Sequence, residues 1–424
     1  MKDIKIAMLH YTAPPVVGGV EIVMQHHARL FSSADYPVTI IAGQGKVDIP
    51  GVEMVINPLF NSRNAEILRI KKELDSGIVS PDFERTKDEI KQFLLANLIQ
   101  YNVVIAHNIC SLHKNMPLSA ALYEFMQHPS ATVLVSWHHD LAWSNGQYQP
   151  ELHEKWPFDI LKKNWHTKKQ IHVAVSEMRR QEISKLFAIP PHQINTIPSG
   201  LDWENFLKIG LETQTIIRQN NLLNAYPFFL LPVRITRRKN IELAMKIMFE
   251  LRKEYPQAVL VITGPPGPHN PGNKSYFEEL LELRAALNLQ PEHDKTPNRP
   301  QVIFLAEQTK QYLPDEVIAD LFRFADALLF PSMQEGFGIP VLEAGLAGLP
   351  VFCSNIPPFR ETAGKLAHFF NIEDNPSIIA NQIISWLKTN KTNQLKSRVK
   401  STYSWDNIFQ QMIQPLIDSS INNK

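Results

Sequence analysis

Apolar runs of four to six residues alternate along the chain with longer stretches in which apolar residues recur at helical spacing. This pattern predicts strands of a parallel sheet, buried on both faces and connected by helices, hence an α/β architecture. IKIAML reads as a first strand, followed by a Pro/Gly loop and a helix from about Val20. VTIIAG, VVIAH and TVLVSW read as further strands, and VAVSEMRRQEISKLF as a strand edge running into a helix. After IPSGLDWENF the pattern restarts. FFLLPV, AVLVITG, VIFLA, ALLFPS and PVFCS read as strands, with helices expected over 241–253, 276–287, 315–324 and 340–347. Two such series, joined near 205–224, predict two doubly wound domains, in which ligands bind outside the carboxyl ends of the strands. The tail YSWDNIFQQMIQPLI keeps helical spacing and is expected to pack back on one domain or the other.

The length of 424 residues agrees with two domains, because a single core rarely grows that large. With 44% apolar and 20% charged residues, little of the chain is suited to extended disorder. A formal charge of +1 gives no reason to expect nucleic acid as a partner. Cys110 and Cys353 are far apart and form no metal spacing, so reduced thiols and a cytoplasmic protein are expected. The opening MKDIKIAMLHYTAPP lacks the pattern of a signal peptide, and no transmembrane segment is expected.

The stretch SMQEGFGIPVLEAGLAGLPVFC places two carboxylates, Glu335 and Glu343, in one of the most apolar parts of the chain. A buried carboxylate without a partner costs several kcal/mol, so each should meet water, a donor or a ligand. Pro340 suits a first helical position, which puts Glu335-Gly336-Phe337-Gly338 in a loop and Glu343 in the first helical turn. Glycines there admit close backbone approach, and free N–H groups at a helix start attract phosphate. Loop, helix start and acids together form a cradle suited to a diphosphate and to the hydroxyls of a ribose and a hexose. Taken singly, a glutamate in a first turn is also explained by the helix dipole, and a loop glutamate by solvation.

EGFGIPVLE resembles the E-x7-E signature of retaining, nucleotide-sugar-dependent glycosyltransferases of the GT-B fold, family four of that classification. The resemblance extends over nearly the whole chain. PPVVGGVE resembles the family's first glycine-rich loop, VVIAHN the end of an early strand, and WHHD its HD element. TIPSGLDWENF resembles its hinge, PVRITRRKN its Arg/Lys segment, and YSWDN the start of its closing helix. Val233 and Asn240 stand where the family usually has glycine.

The resemblance implies two Rossmann-like domains facing across a cleft. The acceptor side would comprise 1–205 with a returning helix, 404–424, and the donor-binding domain 206–403. Glu335 would contact donor-sugar hydroxyls, with the backbone of Gly336, Phe337, Gly338 and Ile339 near sugar and phosphate, and Glu343 would hold the ribose. Arg234 and Lys239 would neutralise the diphosphate, where fixed cations stabilise a leaving group that gains negative charge. His139 would hydrogen-bond a sugar hydroxyl, with His138 as its neighbouring alternative. Gly18 and Gly19 would bring N–H groups to the donor diphosphate or the acceptor; a tight turn before a helix explains them as well. No Asp-x-Asp occurs in the sequence, which fits the family's metal-independent chemistry. No cofactor is implied beyond the donor, with UDP-glucose and GDP-mannose the leading candidates. The acceptor, whether saccharide, lipid or small molecule, is left open.

GPHNPGNKS (267–275) follows a strand and approximates a phosphate-binding P-loop, but Asn273 separates Gly272 from Lys274. Pro265, Pro266, Pro268 and Pro271 also remove N–H groups that such a loop uses, so a nucleoside triphosphatase is not expected. KKNWHTKK (162–169) reads as a solvated basic face or as a dock for an anionic acceptor, which leaves a peripheral membrane contact open. Competing functions are an epimerase of the same fold, a glycoside hydrolase using both carboxylates, and a sugar-nucleotide sensor without activity.

Overall fold

The structure is a computed structural model that describes residues 3–16, 18–129, 132–165, 169–290, 300–309 and 312–422. The chain divides into two compact units, one formed by Met1–Gly200 with Trp405–Lys424 and the other by Leu201–Ser404.

The first unit is built on seven described strands: β1 (Ile6–His10), β2 (Val38–Ala42), β3 (Val52–Ile56), β4 (Val103–His107), β5 (Val133–His138), β6 (Gln170–Ala174) and β7 (Ile194–Thr196). They pair in parallel in the order β3-β2-β1-β4-β5-β6-β7. The continuous apolar runs have a direct cause, since alternate residues serve opposite faces of the sheet. On β1, Ile6 and Met8 enter one apolar cluster while Ala7 and Leu9 enter another, and Val103/Ile105 and Val104/Ala106 divide in the same way on β4. The tail contributes Trp405, Ile408, Phe409, Ile413 and Ile417 to the cluster that also holds Ile6 and Met8. Gly200 lies against the Trp405 ring, where an added Cβ would sit 2.4 Å from Cδ2.

The second unit repeats the plan with β8 (Phe228–Leu231), β9 (Val259–Ile262), β10 (Val302–Phe304), β11 (Ala327–Phe330), β12 (Val351–Ser354) and β13 (His368–Phe370). Their order is β10-β9-β8-β11-β12-β13, again parallel. The strand order reverses beside β8, so the loops after β8 and β11 open outward next to each other at the carboxyl edge, as doubly wound sheets require of a ligand site.

Among the described residues, no helix is long and apolar enough to cross a membrane. Both cysteines are free and buried. In the basic segment, residues 166–168 lie outside the described residues. Lys162 pairs with Glu154 and lies over the Trp143 ring, and Lys163 pairs with Asp159, so two of its charges already have counter-ions. The helix expected over 276–287 spans Gly272–Ala286, so the last part of the P-loop look-alike is its first turn.

Candidate functional site

Two loops of the second unit meet at the sheet edge. After β8 the chain runs through Arg234 to a short 3-10 turn, Arg237–Lys239, and after β11 it runs through Ser332 to Gly338. The Met333 N–H donates to the Arg238 carbonyl at 2.8 Å, and Arg238 Nη1 donates to the Gln334 carbonyl at 3.0 Å. The loops are thus laced by backbone before any charge is considered. Glu335 joins them more tightly. Arg238 Nη1 reaches its Oε2 at 2.9 Å, and Lys239 Nζ donates to its Oε1.

Glu335 exposes only 8% of its side chain, so the sequence's question of how an acid survives there is answered by Lys239 and Arg238. Burial pushes its carboxyl up, but the Lys239 bond and charge outweigh that and hold it below the usual range. Burial draws the Lys239 ammonium down from its ordinary value, against the opposing pull of Glu335. Lys239 also lies over the Phe330 ring at 5.3 Å. Arg234 is exposed and lies over the Tyr312 ring at 5.1 Å, off the carboxylate. The cluster opens onto a cavity of 440 Å³ lined by Arg234, Arg238, Lys239 and the proline-rich loop through Gly267, His269 and Asn270. Both departures from the family's glycines are accommodated. Asn240 adopts φ +52°, a left-handed conformation that asparagine tolerates better than most residues, and Val233 is buried in the core.

The helix after the loop spans Ile339–Leu346 with Pro340 near its start, and no side chain caps it. Glu343 is therefore its fifth residue, one position further on than the sequence suggested and just past the first turn, because the helix begins at Ile339 rather than Pro340. No acid occupies the first turn, so the dipole explanation for Glu343 no longer applies. Its side chain is exposed, and burial with the nearby Asp315 charge raises its carboxyl above the ordinary value. Phe337 and Ile339 are exposed as well, at 51% and 60%.

The two loop glycines differ. Gly338 has φ +94°, and an added Cβ would meet the Phe359 ring at 2.8 Å, so local structure alone demands glycine. Gly336 has nothing within 4 Å of such a Cβ. Gly338→Ala is expected to cost about 1–3 kcal/mol in stability. Gly336→Ala should leave the unfolding midpoint in place while lowering activity through the ligand's loss of space. Urea titration with a parallel activity assay checks both, and a destabilised Gly336 variant would show that its role is structural.

His139 belongs to the first unit and follows β5. Asn108, at φ +60°, accepts through Oδ1 from the His139 N–H at 2.8 Å and the Asp140 N–H at 3.1 Å. The His139 ring, through Nε2, is 3.1 Å from His107 Nδ1, and burial reinforced by His10 pushes it down to about 3. His138 is fully buried and lies 3.1 Å from His172, whereas His139 is only partly buried. Gly18 is the extended residue before the helix Gly19–Ser33, and Gly19 is its first residue with open space around it.

Sequence reasoning gave Glu21 little weight. It is buried, accepts from Thr12 Oγ1 at 2.5 Å and stands 3.7 Å from His10. The sequence did not single out Arg238 within the polar run TRRKN, although Arg238 binds Glu335 directly. A polar cluster carries no outward sign of which cation turns inward. Among the described residues, no group of three or more His, Cys, Asp or Glu is placed to hold a metal ion.

Two family descriptions match this chain: "Glycosyltransferase Family 4" over residues 17–205 and "Glycosyl transferases group 1" over residues 212–402. The chain is similar to an uncharacterized glycosyltransferase of Methanocaldococcus jannaschii, 26% identical over 57% of this chain and 58% of that protein. It is also similar to the mannosylglucosylglycerate synthase of Petrotoga mobilis, 22% identical over 85% of each chain. A third relative, O-antigen chain mannosyltransferase B of Escherichia coli, is 25% identical over 62% of this chain and 65% of that protein. The chain thus spans less than two thirds of the first and third relatives.

Proposed function

The chain belongs to the family 4 and group 1 glycosyltransferases of the GT-B type, and from that premise we propose that it moves a hexose, with retention, from a nucleoside diphosphate sugar to an acceptor hydroxyl. The observation that carries this reading is the junction of the loops after β8 and β11. The cations Arg234, Arg238 and Lys239 line one 440 Å³ cavity, Arg238 and Lys239 also hold the acid Glu335, and the loop that carries Glu335 runs on into an uncapped helix start. Cations meet a diphosphate, an acid meets sugar hydroxyls, and free N–H groups meet either.

In this reading 206–403 holds the donor, and 1–205 with 404–424 serves the acceptor. Arg234 and Lys239 neutralise the diphosphate, Glu335 accepts from sugar hydroxyls, and Glu343 accepts from the ribose. The backbone of Gly336, Phe337, Gly338 and Ile339 lies along sugar and phosphate. His139, neutral at working pH, hydrogen-bonds a sugar hydroxyl, and Gly18 and Gly19 present N–H groups from the first unit. The acceptor oxygen attacks the anomeric carbon on the face the phosphate leaves. The carbon–oxygen bond to phosphate breaks, and a phosphate oxygen takes the acceptor's proton. The protein contributes position and charge. Two relatives named for mannosyl products favour GDP-mannose, with UDP-glucose as the other donor to test. We assign the reaction to the cytoplasm.

Incubation with a panel of nucleotide sugars and acceptors tests the reading by release of nucleoside diphosphate. An isomerised donor formed without acceptor would replace transferase by epimerase. Arg234→Ala should lower kcat/KM about 10–100-fold, because a cation that binds the ground state and the leaving group affects both constants. An unchanged kcat/KM would remove Arg234 from the site. Since protein cations take the place of a divalent ion in this reading, EDTA should leave the rate unchanged. A rate lost with EDTA and restored by Mg²⁺ or Mn²⁺ would overturn metal independence.

A further inference from the structure

Glu335 occupies the position that an anion would take. Its two carboxylate oxygens accept from Lys239 and Arg238, which face the cavity, while Arg234 remains over Tyr312. We propose that Glu335 acts as an internal stand-in for the donor's diphosphate: a nucleoside diphosphate displaces its carboxylate from Lys239 and Arg238, and only then is Glu335 released to accept from sugar hydroxyls. This rests on the donor-site reading given above and adds to it an order of events.

The local construction favours such an exchange. The loop backbone is pinned by the Met333–Arg238 bond, so the side chain can leave without the loop unfolding. Gly336, next in sequence, has open space around it. Arg234, with no carboxylate partner among the described residues, is available for first contact with phosphate. A diphosphate brings more charge than one carboxylate to the same donors and so prevails in competition for them. Without phosphate the acid stays paired, so a free hexose gains nothing from it. Sugar recognition is thereby made conditional on the leaving group.

The test uses the full chain with UDP, GDP and inorganic pyrophosphate as calorimetric probes. Glu335→Gln removes the competing charge and keeps the side chain's size, so probe binding should tighten about fivefold or more. Simple repulsion between Glu335 and phosphate predicts tightening too, and a double-mutant cycle separates the two. In a Lys239→Met background the gain from Glu335→Gln should shrink to less than twofold, because the carboxylate no longer blocks that cation. Should Lys239→Met not fold, Arg238→Gln, whose side chain is 51% exposed, takes its place in the cycle, and the gain should fall by at least half. Unchanged or weaker probe binding by Glu335→Gln overturns the exchange. So does a gain that persists in full in the background variant. If the background substitution costs no probe affinity at all, the donor-site reading fails and the exchange fails with it.

Discussion

Glu335→Ala is expected to lower the rate of sugar transfer by roughly 10²–10³-fold, the scale typical of removing one well-placed polar partner from a transition state. The same substitution should also destabilise the second unit by about 1–3 kcal/mol. Sequence reasoning expects little effect on folding, because the residue lies in a loop. In the structure that loop residue is 8% exposed and holds two cations, so its removal leaves Lys239 buried without a counter-charge. Position in a loop does not establish exposure. A nucleoside diphosphate release assay, run beside urea titrations of the wild type and of Glu335→Gln and Glu335→Ala, separates the two losses. Full activity in the alanine variant would remove Glu335 from the reaction.

The strands that the sequence revealed and those it concealed differ in a physical way. β1, β4, β5, β8, β9, β11 and β12 lie inside their sheets, buried on both faces, and read as unbroken apolar runs. β3, β7 and β13 escaped notice, and each is an edge strand; the fourth edge strand, β10, was legible as VIFLA because all three of its residues are apolar and buried. β3 reads VEMVI with intermediate and exposed positions throughout, while β7 and β13 have only three residues each. An edge strand needs less apolar surface, so it leaves a weaker pattern. The helix Pro81–Leu98 was within reach of the sequence: Ser80 caps it, Pro81 opens it, and Phe83, Ile90, Leu94 and Leu98 are buried along it.

The candidate site divides along a similar line. Residue types and spacing pointed to Glu335 and Glu343, because those positions are fixed by a strand end and a helix start, and the family resemblance pointed to Arg234 and Lys239. Which cation meets which acid depends on how two loops distant in sequence are laced together. The Met333–Arg238 bond that decides it spans 95 positions and leaves no mark in local pattern. The histidines were hidden for another reason. His10, His107 and His172 are each an isolated letter in an apolar run, and His27 sits in the mixed stretch QHHAR. Only the fold packs His27 on Trp137 and Trp405, His107 on Trp137, His10 on the His107 carbonyl and His172 on His138.

That gathering has a large consequence in acid. His10, His27, His107, His138, His139 and His172 all have their pKa values lowered, in each case chiefly by burial, with His27 and His139 down to about 3 and His172 to about 4. In the unfolded chain each would titrate near 6.5. Below that pH the unfolded state binds protons that the folded state refuses, so stability falls as pH falls. For His27 and His139 the loss continues until about 3, and for His172 until about 4. Each contributes at most about 1.4 kcal/mol per pH unit, so six together rival the roughly 5–15 kcal/mol that holds a domain folded. The first unit should therefore lose several kcal/mol between pH 6.5 and 5.5 and open near pH 5, ahead of the second. Urea midpoints at pH 7.5, 6.5 and 5.5, followed by the fluorescence of the buried Trp137 and Trp405, give the measurement. His27 supplies the control. Neither of its ring nitrogens has a hydrogen-bond partner among the described residues, and it packs on Trp137 and Trp405 at 4.6 and 5.3 Å. His27→Leu, close in volume, removes both the unpaired polar atoms and one refused proton, so it should flatten the acid slope by about one proton's worth. A midpoint independent of pH in the wild type, or a slope unaltered by His27→Leu, would show that these histidines accept protons within the fold.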